Sequence, residues 1–548
     1  MKVEQSKRLY EIEKIKDIKE MLNRSSKLYK NNIAFKYKEE NELIEITYGK
    51  LQEDVDKLGT ALMNMGLKDK KIAIIGENSY SWCVAYLATV CGLGIVVPID
   101  KALPINEIQN IVEKSKSEAI FFDNKYIEKM SEIKNESNTL KHLVCFKDIE
   151  NSNNKDIIEY EKLIKKGEEL LEKNDNSYMD LEVNENEMRI ILFTSGTTSN
   201  SKGVMLSHKN ICSNIMGLAE CLKYEQDDIL LSFLPIHHTF ESTVTFLAGL
   251  YNGSSIALCK GLRYIIPSLL EYKITIFVTV PLVLENLYKK VLQQIDESGG
   301  KYTGKQIINS IAPNLRLTLV GAAPLSKEAI VGLRSFGIDV HQGYGLTETS
   351  PILSLETDDR KRAGSIGVSL PEVEIEIDNP DEEGLGEIKA KGTNVMLGYY
   401  EDEEETKKVL KDNWFYTGDL GYVDEDGFLF ISGRKKNVIV LKNGKNIFPE
   451  EIENLINSNP YVSESFVHSK IAKNGDVKIC AKIVYNKEIL EEKYKGIKEE
   501  EIIEMMVEHK KNINQTLPLY KYIRDIEVTD TPLSKTTTGK IKRYDQKI

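Results

Sequence analysis

Between Lys71 and Val320 the chain alternates short apolar runs with segments of helical period. Lys71 to Gly76, Ala119 to Phe122, His142 to Phe146, Ile229 to Leu234, Ser255 to Leu258, Ile274 to Val280 and Leu315 to Val320 are short and almost continuously apolar, as buried strands are. Strands separated by helical patterns at that spacing predict α/β layers with mostly parallel sheets. Asp148 to Met188 is polar and rich in Asn, Glu and Lys, and predicts one amphipathic helix around Asp156 to Lys173. Asn78 to Ile99 has no charged side chain and approaches the length of a membrane span. Gly92, Gly94 and Pro98 interrupt it, so it divides into a buried helix, Trp82 to Val90, and a strand, Gly94 to Ile99. Gly299, Gly300 and Gly304 mark a loop from Ser298 to Lys305.

From Val373 the texture changes. Val373 to Asp378 and Gly386 to Lys391 alternate apolar with polar positions, the pattern of half-exposed antiparallel strands. A charged break, Gly433-Arg434-Lys435-Lys436-Asn437, separates two further apolar runs. Beyond it come further elements, among them Pro449 to Asn457, Cys480 to Tyr485 and Lys487 to Gln515. The expected architecture is therefore α/β. A large domain over 1–433 would combine layered, mostly parallel sheets with a small antiparallel β subdomain. A small, mobile α+β domain would follow over 434–548, on a joint at Lys436.

Length and composition narrow the function classes. A chain of 548 residues exceeds one core and implies several domains. The composition, 41% hydrophobic and 29% charged, is that of a globular protein. With a net charge of -12 and lysines dispersed among acids, nucleic acid is not the expected partner, although a local basic pocket for an anion remains open. The charged stretch Met1 to Lys19 has no apolar signal region, and the seven cysteines form no close pairs, so a reducing cytoplasm is expected.

The strongest chemical signal lies from Ile190 to Gly203. The run Ile190 to Phe193 reads as a buried strand. It opens into Thr194-Ser195-Gly196-Thr197-Thr198-Ser199-Asn200-Ser201-Lys202-Gly203, with no large apolar side chain. Backbone N–H groups, hydroxyls and one ammonium in such a loop can wrap a polyphosphate. The Walker pattern is absent. Taken alone, the loop also reads as a surface turn.

Five more features stand far apart. Gly321-Ala322-Ala323-Pro324-Leu325 follows a strand-like run, and its small residues allow a flat ligand to approach the backbone. Gln342-Gly343-Tyr344-Gly345-Leu346-Thr347-Glu348 sets an aromatic ring between glycines, and a carboxylate follows that could hold Mg²⁺ beside phosphates. Asp419, in Tyr416-Thr417-Gly418-Asp419, could accept hydrogen bonds from ribose hydroxyls. Arg434 in the charged joint could reach a phosphate or ribose. A Thr/Gly loop near the C-terminus presents Lys540. Each has an ordinary alternative as a turn, a cap or a solvated charge.

In this order, from about Ile33 to Arg543, the set resembles the acyl-adenylate-forming superfamily of acyl-CoA ligases, adenylation domains and luciferases. Within it the chain looks most like bacterial long-chain fatty acid–CoA ligases. The resemblance implies ATP, Mg²⁺ and coenzyme A as cofactor and co-substrates, and a fatty acid as the substrate. It implies that Thr194, Ser195, Gly196, Thr197, Thr198 and Lys202 form the phosphate loop. Ala323, Pro324, Gln342, Gly343 and Gly345 would shape the adenine site, with Tyr344 as its stacking ring. Thr347 would contact phosphate, Glu348 would be the Mg²⁺ ligand, and Asp419 and Arg434 would hold the ribose. Lys436 would be the hinge, and Lys540 the catalytic lysine bridging carboxylate and α-phosphate. His238, in Leu234-Pro-Ile-His-His238, would be the gate at the carboxylate pocket.

Three positions depart from the pattern. Ser199 and Ser201 stand where the family usually has Gly and Pro, and Asn437 stands where Asp is common. Glu241 follows Phe240 near the gate, where amino-acid-activating relatives carry an Asp. Other acids (medium-chain, aromatic or bile acids) and a carrier-protein thiol in place of CoA stay open at this stage. So does a nucleotide-binding protein without catalysis. No transmembrane segment is expected, and peripheral membrane contact would suit a ligase of insoluble acids.

Overall fold

The computed structural model describes the chain apart from residues 41, 148–155, 195–200, 442–444, 472–476, 536–540 and 547–548, and the side chain of Tyr544. By internal contact the chain falls into two units. The larger holds Val3–Ile375 and Ala390–Phe415; the smaller holds Met1–Lys2, Glu376–Lys389 and Tyr416–Ile548.

Two sheets organise the larger unit. In the first, eight strands run in the order Gly398–Tyr399, Lys202–Ser207, Met188–Thr194, Ile95–Ile99, Lys71–Ile75, Ala119–Phe122, His142–Cys145 and Ile157–Glu159. Its centre is parallel, with Ile72 opposite both Val96 and Ala119. Strands covered on both faces must be apolar throughout, and Ile72 to Ile75 and Ala119 to Phe122 have no exposed surface. The second sheet has nine strands, ordered Val368–Ser369, Ile352–Leu355, Val340–Gly345, Leu317–Val320, Ile276–Thr279, Ile229–Ser232, Ser255–Leu258, Ile33–Glu39 and Glu42–Thr47. It too is parallel at the centre and antiparallel at its edges. A core of Phe277, Leu284, Ile308, Val320, Ile330 and Val340 packs helices onto it.

The uncharged stretch at Asn78–Ile99 belongs to the first sheet's layer. Ser79 caps helix Tyr80–Ala88 by accepting from the Trp82 N–H. A wide turn, Thr89–Leu93, follows, in which Gly92 has φ +121°. The strand Ile95–Ile99 then enters the sheet. Gly94 is obligatory there, since a Cβ would lie 2.2 Å from the Lys70 carbonyl oxygen. Among the described residues no helix is long and apolar enough to cross a membrane.

The helix expected over Asp156 to Lys173 is shorter, Tyr160–Glu172, because Ile157–Glu159 pairs with His142–Cys145 as an edge strand. In the smaller unit, Val462–Ile471 pairs antiparallel with Val477–Tyr485, and Ile523–Thr529 adds a parallel strand. Helices Pro449–Asn457 and Glu499–Thr516 supply Ile452, Ile456, Met506 and Ile513 to its core. The segment Lys487 to Gln515 is two helices, Lys487–Lys493 and Glu499–Thr516, separated where Gly496 takes φ +79°.

Candidate active site

Strand Met188–Thr194 and strand Lys202–Ser207 pair antiparallel, with Thr194 opposite Lys202. Thr194 Oγ1 donates to the Lys202 carbonyl at 3.5 Å. Ser195, Gly196, Thr197 and Thr198, expected to complete the loop, lie outside the described residues.

Lys202 and Glu348 meet at one phenol. Lys202 Nζ lies 4.9 Å from the centre of the Tyr399 ring, and Tyr399 donates its hydroxyl to Glu348 Oε1 at 2.9 Å. Strand Gly398–Tyr399 pairs with Lys202–Ser207, with Tyr399 opposite Val204, and this fixes the ring beside the loop's exit strand. Lys202 Nζ also pairs with Glu405 at 2.5 Å. Hydrogen bonds from Lys202 and then Lys408 pull the Glu405 carboxyl down to about 2. Glu348 sits in the short turn Thr347–Thr349, and its backbone carbonyl accepts from the Met396 N–H at 2.8 Å. Tyr399 and Glu405 were not anticipated. The only sequence signal for them is Gly398-Tyr399 preceding the acidic run Glu401 to Glu405.

Two parallel strand ends carry the next residues. Leu317–Val320 lies beside Val340–Gly345, with Val320 opposite Gln342. Gly321 to Pro324 therefore leave the sheet next to Gln342 to Gly345. Ala323 and Pro324 are exposed, and Ala322 takes φ +71°. Tyr344, Thr347 and Glu348 are half-buried, while Gln342 is buried, its N–H held by Glu356 Oε2 at 2.9 Å. Glu356, with no exposed side chain, is paired with Arg334 at 2.7 Å. Gly345 allows the closest approach: a Cβ would stand 1.7 Å from the Pro351 carbonyl oxygen.

His238 ends a tight turn, its N–H bonded to the Pro235 carbonyl at 3.0 Å, and its ring lies 4.3 Å from that of His237. The turn continues into the wide π-helical segment Phe240–Leu247. The Phe240 ring closes against Gly321, where a Cβ would be 3.1 Å away.

The smaller unit holds its own set. Asp419 and Arg434 face each other across the antiparallel pair Trp414–Val423 and Leu429–Arg434. Arg434 Nε donates to Asp419 Oδ1 at 2.6 Å. Thr417 bonds the Ile388 carbonyl and Lys435 pairs with Glu387, which ties the 376–389 segment to this strand pair. Lys436 is exposed in the short turn Lys435–Asn437, where Asn437 Nδ2 bonds Glu450 at 2.6 Å. Lys540 lies outside the described residues; Lys535 and Ile541 on either side of it form an antiparallel bridge.

Chemically, the larger unit brings an ammonium and a carboxylate to one phenol, and the carboxylate lies in the segment that carries the glycine-flanked Tyr344. Such a set suits a nucleoside polyphosphate. Comparisons with known proteins agree. Long chain acyl-CoA synthetase 4 of Arabidopsis thaliana is 29% identical over 460 residues, covering 75% of this chain and 69% of that one. Long-chain-fatty-acid–CoA ligase 6 of Mus musculus is 27% identical over 482 residues, covering 78% and 68%. Among solved structures, the anthranilate CoA ligase AuaEII in complex with anthranoyl-AMP superposes with a TM-score of 0.79 at 20% identity, over 98% of this chain and 96% of that one. The o-succinylbenzoate coenzyme A synthetase of Bacillus subtilis, in complex with ATP and magnesium, gives a TM-score of 0.75 at 23% identity, over 96% and 98%. The model of the AMP-binding enzyme family matches residues 22–400, and the chain belongs to that family.

Proposed function

We propose that this AMP-binding enzyme is an acid–CoA ligase that activates a fatty acid, preferably a long-chain one, to acyl-AMP, releases pyrophosphate, and passes the acyl group to CoA. The observation that carries the reading is the convergence of Lys202 and Glu348 on Tyr399. It sets a cation at the exit of the Thr194 loop over the ring whose hydroxyl binds a carboxylate, which suits a nucleotide and its counter-ion. The long-chain preference is supported by the names of the curated relatives.

A carboxylate is a poor acyl donor because its leaving group is oxide. Its oxygen attacks the α-phosphorus of ATP, the bond to the β-phosphate oxygen breaks, and pyrophosphate leaves. The acyl group now has AMP as a leaving group. A thiolate of CoA attacks the carbonyl carbon, and AMP departs with the electron pair of the broken C–O bond.

Both partners in the first step are anionic, so cations must bring them together. Thr194 to Thr198 and Lys202 cradle the departing phosphates. Ala323, Pro324, Gln342, Gly343, Tyr344 and Gly345 hold the adenine, and Asp419 and Arg434 the ribose. Thr347 contacts phosphate, His238 borders the acid, and Lys540 bridges the carboxylate and α-phosphate. Glu348 is a hard oxygen ligand with one oxygen oriented by Tyr399, which fits Mg²⁺. Glu348 would hold the ion there, and the ion's charge would offset that of the phosphates. Lys436 acts as the pivot that exchanges Lys540 for the groups used in thiol transfer. The cysteines, six of seven buried, suit a reducing cytoplasm.

Pyrophosphate release with ATP and Mg²⁺, measured from acetate to oleate with and without CoA, tests the proposal. Turnover rising to a maximum at long chains, with acyl-CoA formed when CoA is present, is expected. A maximum on aromatic or amino acids, or release indifferent to CoA, would replace the substrate or the acceptor.

A further inference from the structure

The π-helical turn Phe240–Leu247 buries a carboxyl for which the chemistry above has no use. Glu241 has no exposed surface. Thr245 Oγ1 donates to Glu241 Oε2 at 3.0 Å, and Ser232, at the end of strand Ile229–Ser232, interacts with the same carboxyl. Ser232 Oγ in turn accepts from Asn78 Nδ2 at 3.1 Å. That amide also donates to the Leu234 carbonyl at 2.7 Å, and Asn78 Oδ1 accepts the Ile236 N–H at 3.2 Å. The half-buried Asn78 and the buried Ser232, Glu241 and Thr245 thus link the π turn to the loop that ends in His238. The His238 carbonyl accepts from the Ser242 N–H at 2.9 Å and the Ser242 hydroxyl at 3.0 Å, fixing the loop's other end. Extra-wide turns of this kind are rare in helices and recur at functional sites.

This arrangement suits a neutral acid. The carboxyl is fully buried, and among the described residues Oε1 has no hydrogen-bond partner. An ionised carboxylate there would leave a charge without a counter-ion in an apolar wall. Of the titratable groups nearby, Cys83 interacts with Glu241, but burial holds that thiol far above its ordinary range, so it stays neutral. Tyr224 reaches the turn at the Val244 carbonyl, and burial likewise keeps its phenol protonated. His237 and His238 lie on the fastened loop. Burial pushes the Glu241 carboxyl up to about 8, against the smaller opposing pull of Ser232 and Thr245.

We propose that Glu241, as the uncharged acid, is a positioning residue that locks the Leu234–His238 loop to the π turn and Phe240 to Gly321, so that its ionisation loosens the acid side of the site. The inference rests on the ligase function proposed above, but one of its two readouts does not. The folded carboxyl keeps a proton that the unfolded chain sheds near the ordinary value of about 4.3. The stability contributed by the neutral form is therefore full below that pH and is lost as pH rises through about 8.

The test compares the wild type with Glu241→Gln in pyrophosphate release and thermal unfolding from about pH 5 to 9.5. Wild type should lose activity on an alkaline limb, through a rising KM for the acid with KM for ATP unchanged. Glu241→Gln should keep neutral-pH turnover within about two-fold and shift that limb up by about one pH unit or more. Its melting temperature should match wild type at the acid end and exceed it at the alkaline end. Glu241→Ala, which breaks the chain of bonds, should raise the KM for the acid at every pH. A Gln variant with an unshifted limb, or with a constant melting difference, would overturn the inference. If neither protein turns over any acid while the melting difference grows with pH, the ligase proposal fails and the titration stands.

Discussion

Single side chains carry the most direct tests. Lys540 is expected to supply a positive charge between two anions in the adenylation step only. Lys540→Ala should slow adenylation by roughly 10²-fold or more, as removal of one preorganised charge does. Thioester formation from supplied acyl-AMP should survive much better, and equal loss in both half-reactions would remove the assigned role. Tyr399 was not visible as a site residue, because nothing in Gly398-Tyr399-Tyr400 says which residue its hydroxyl meets. The structure sets Lys202 at its ring and Glu348 at its hydroxyl. Tyr399→Phe keeps the ring and removes the hydrogen bond to a carboxylate. A bond of that kind contributes about 1.5–3 kcal/mol where water does not replace it. Because Glu348 is half-buried, water recovers part of this, and a rise of roughly 3- to 10-fold in the Mg²⁺ concentration for half-maximal rate is expected. Unchanged Mg²⁺ dependence would separate Tyr399 from the ion's ligand.

Secondary-structure elements place those side chains. Val340–Gly345 is a parallel strand up to Gln342 and then pairs antiparallel with Ile352–Leu355. That change of partner presents Tyr344 and Glu348 beside the end of the neighbouring strand, and it depends on Gly345 approaching Pro351. The exposed turn Lys435–Asn437 follows Arg434 directly. If Lys436 is the pivot, fixing its φ with proline should hamper the second half-reaction while leaving adenylation largely intact. Stopped-flow measurement of acyl-AMP formation against acyl-CoA formation reads the two separately, and a Lys436→Pro variant making acyl-CoA at the normal rate would exclude the pivot. Element boundaries were less legible than element types. The segment Lys487 to Gln515, expected as one element, is two helices, Lys487–Lys493 and Glu499–Thr516, parted where Gly496 takes φ +79°.

For the molecule as a whole, sequence and tertiary structure divided the information along physical lines. The parallel strands were legible in the sequence, because burial on both faces demands continuous apolar runs such as Ile72 to Ile75. The resemblance to the family was legible too, because its motifs, such as Thr194 to Gly203 and Gln342 to Glu348, are runs of consecutive residues. Folding decided what distant residues do to one another. Tyr399 reaches Glu348 across 51 positions, and Lys202 reaches Glu405 across 203. The 376–389 segment joins the unit containing Tyr416–Ile548 through bonds from Thr417 and Lys435 that no local pattern encodes. Glu241 shows the distinction most clearly. In the sequence it is an acid beside a gate, in the place where amino-acid-activating relatives use a charge. Its full burial in the folded chain makes the neutral form the stable one, against the smaller pull of Ser232 and Thr245. Protonation state is set by solvent exclusion and by partners drawn from other strands, and only the folded chain supplies either.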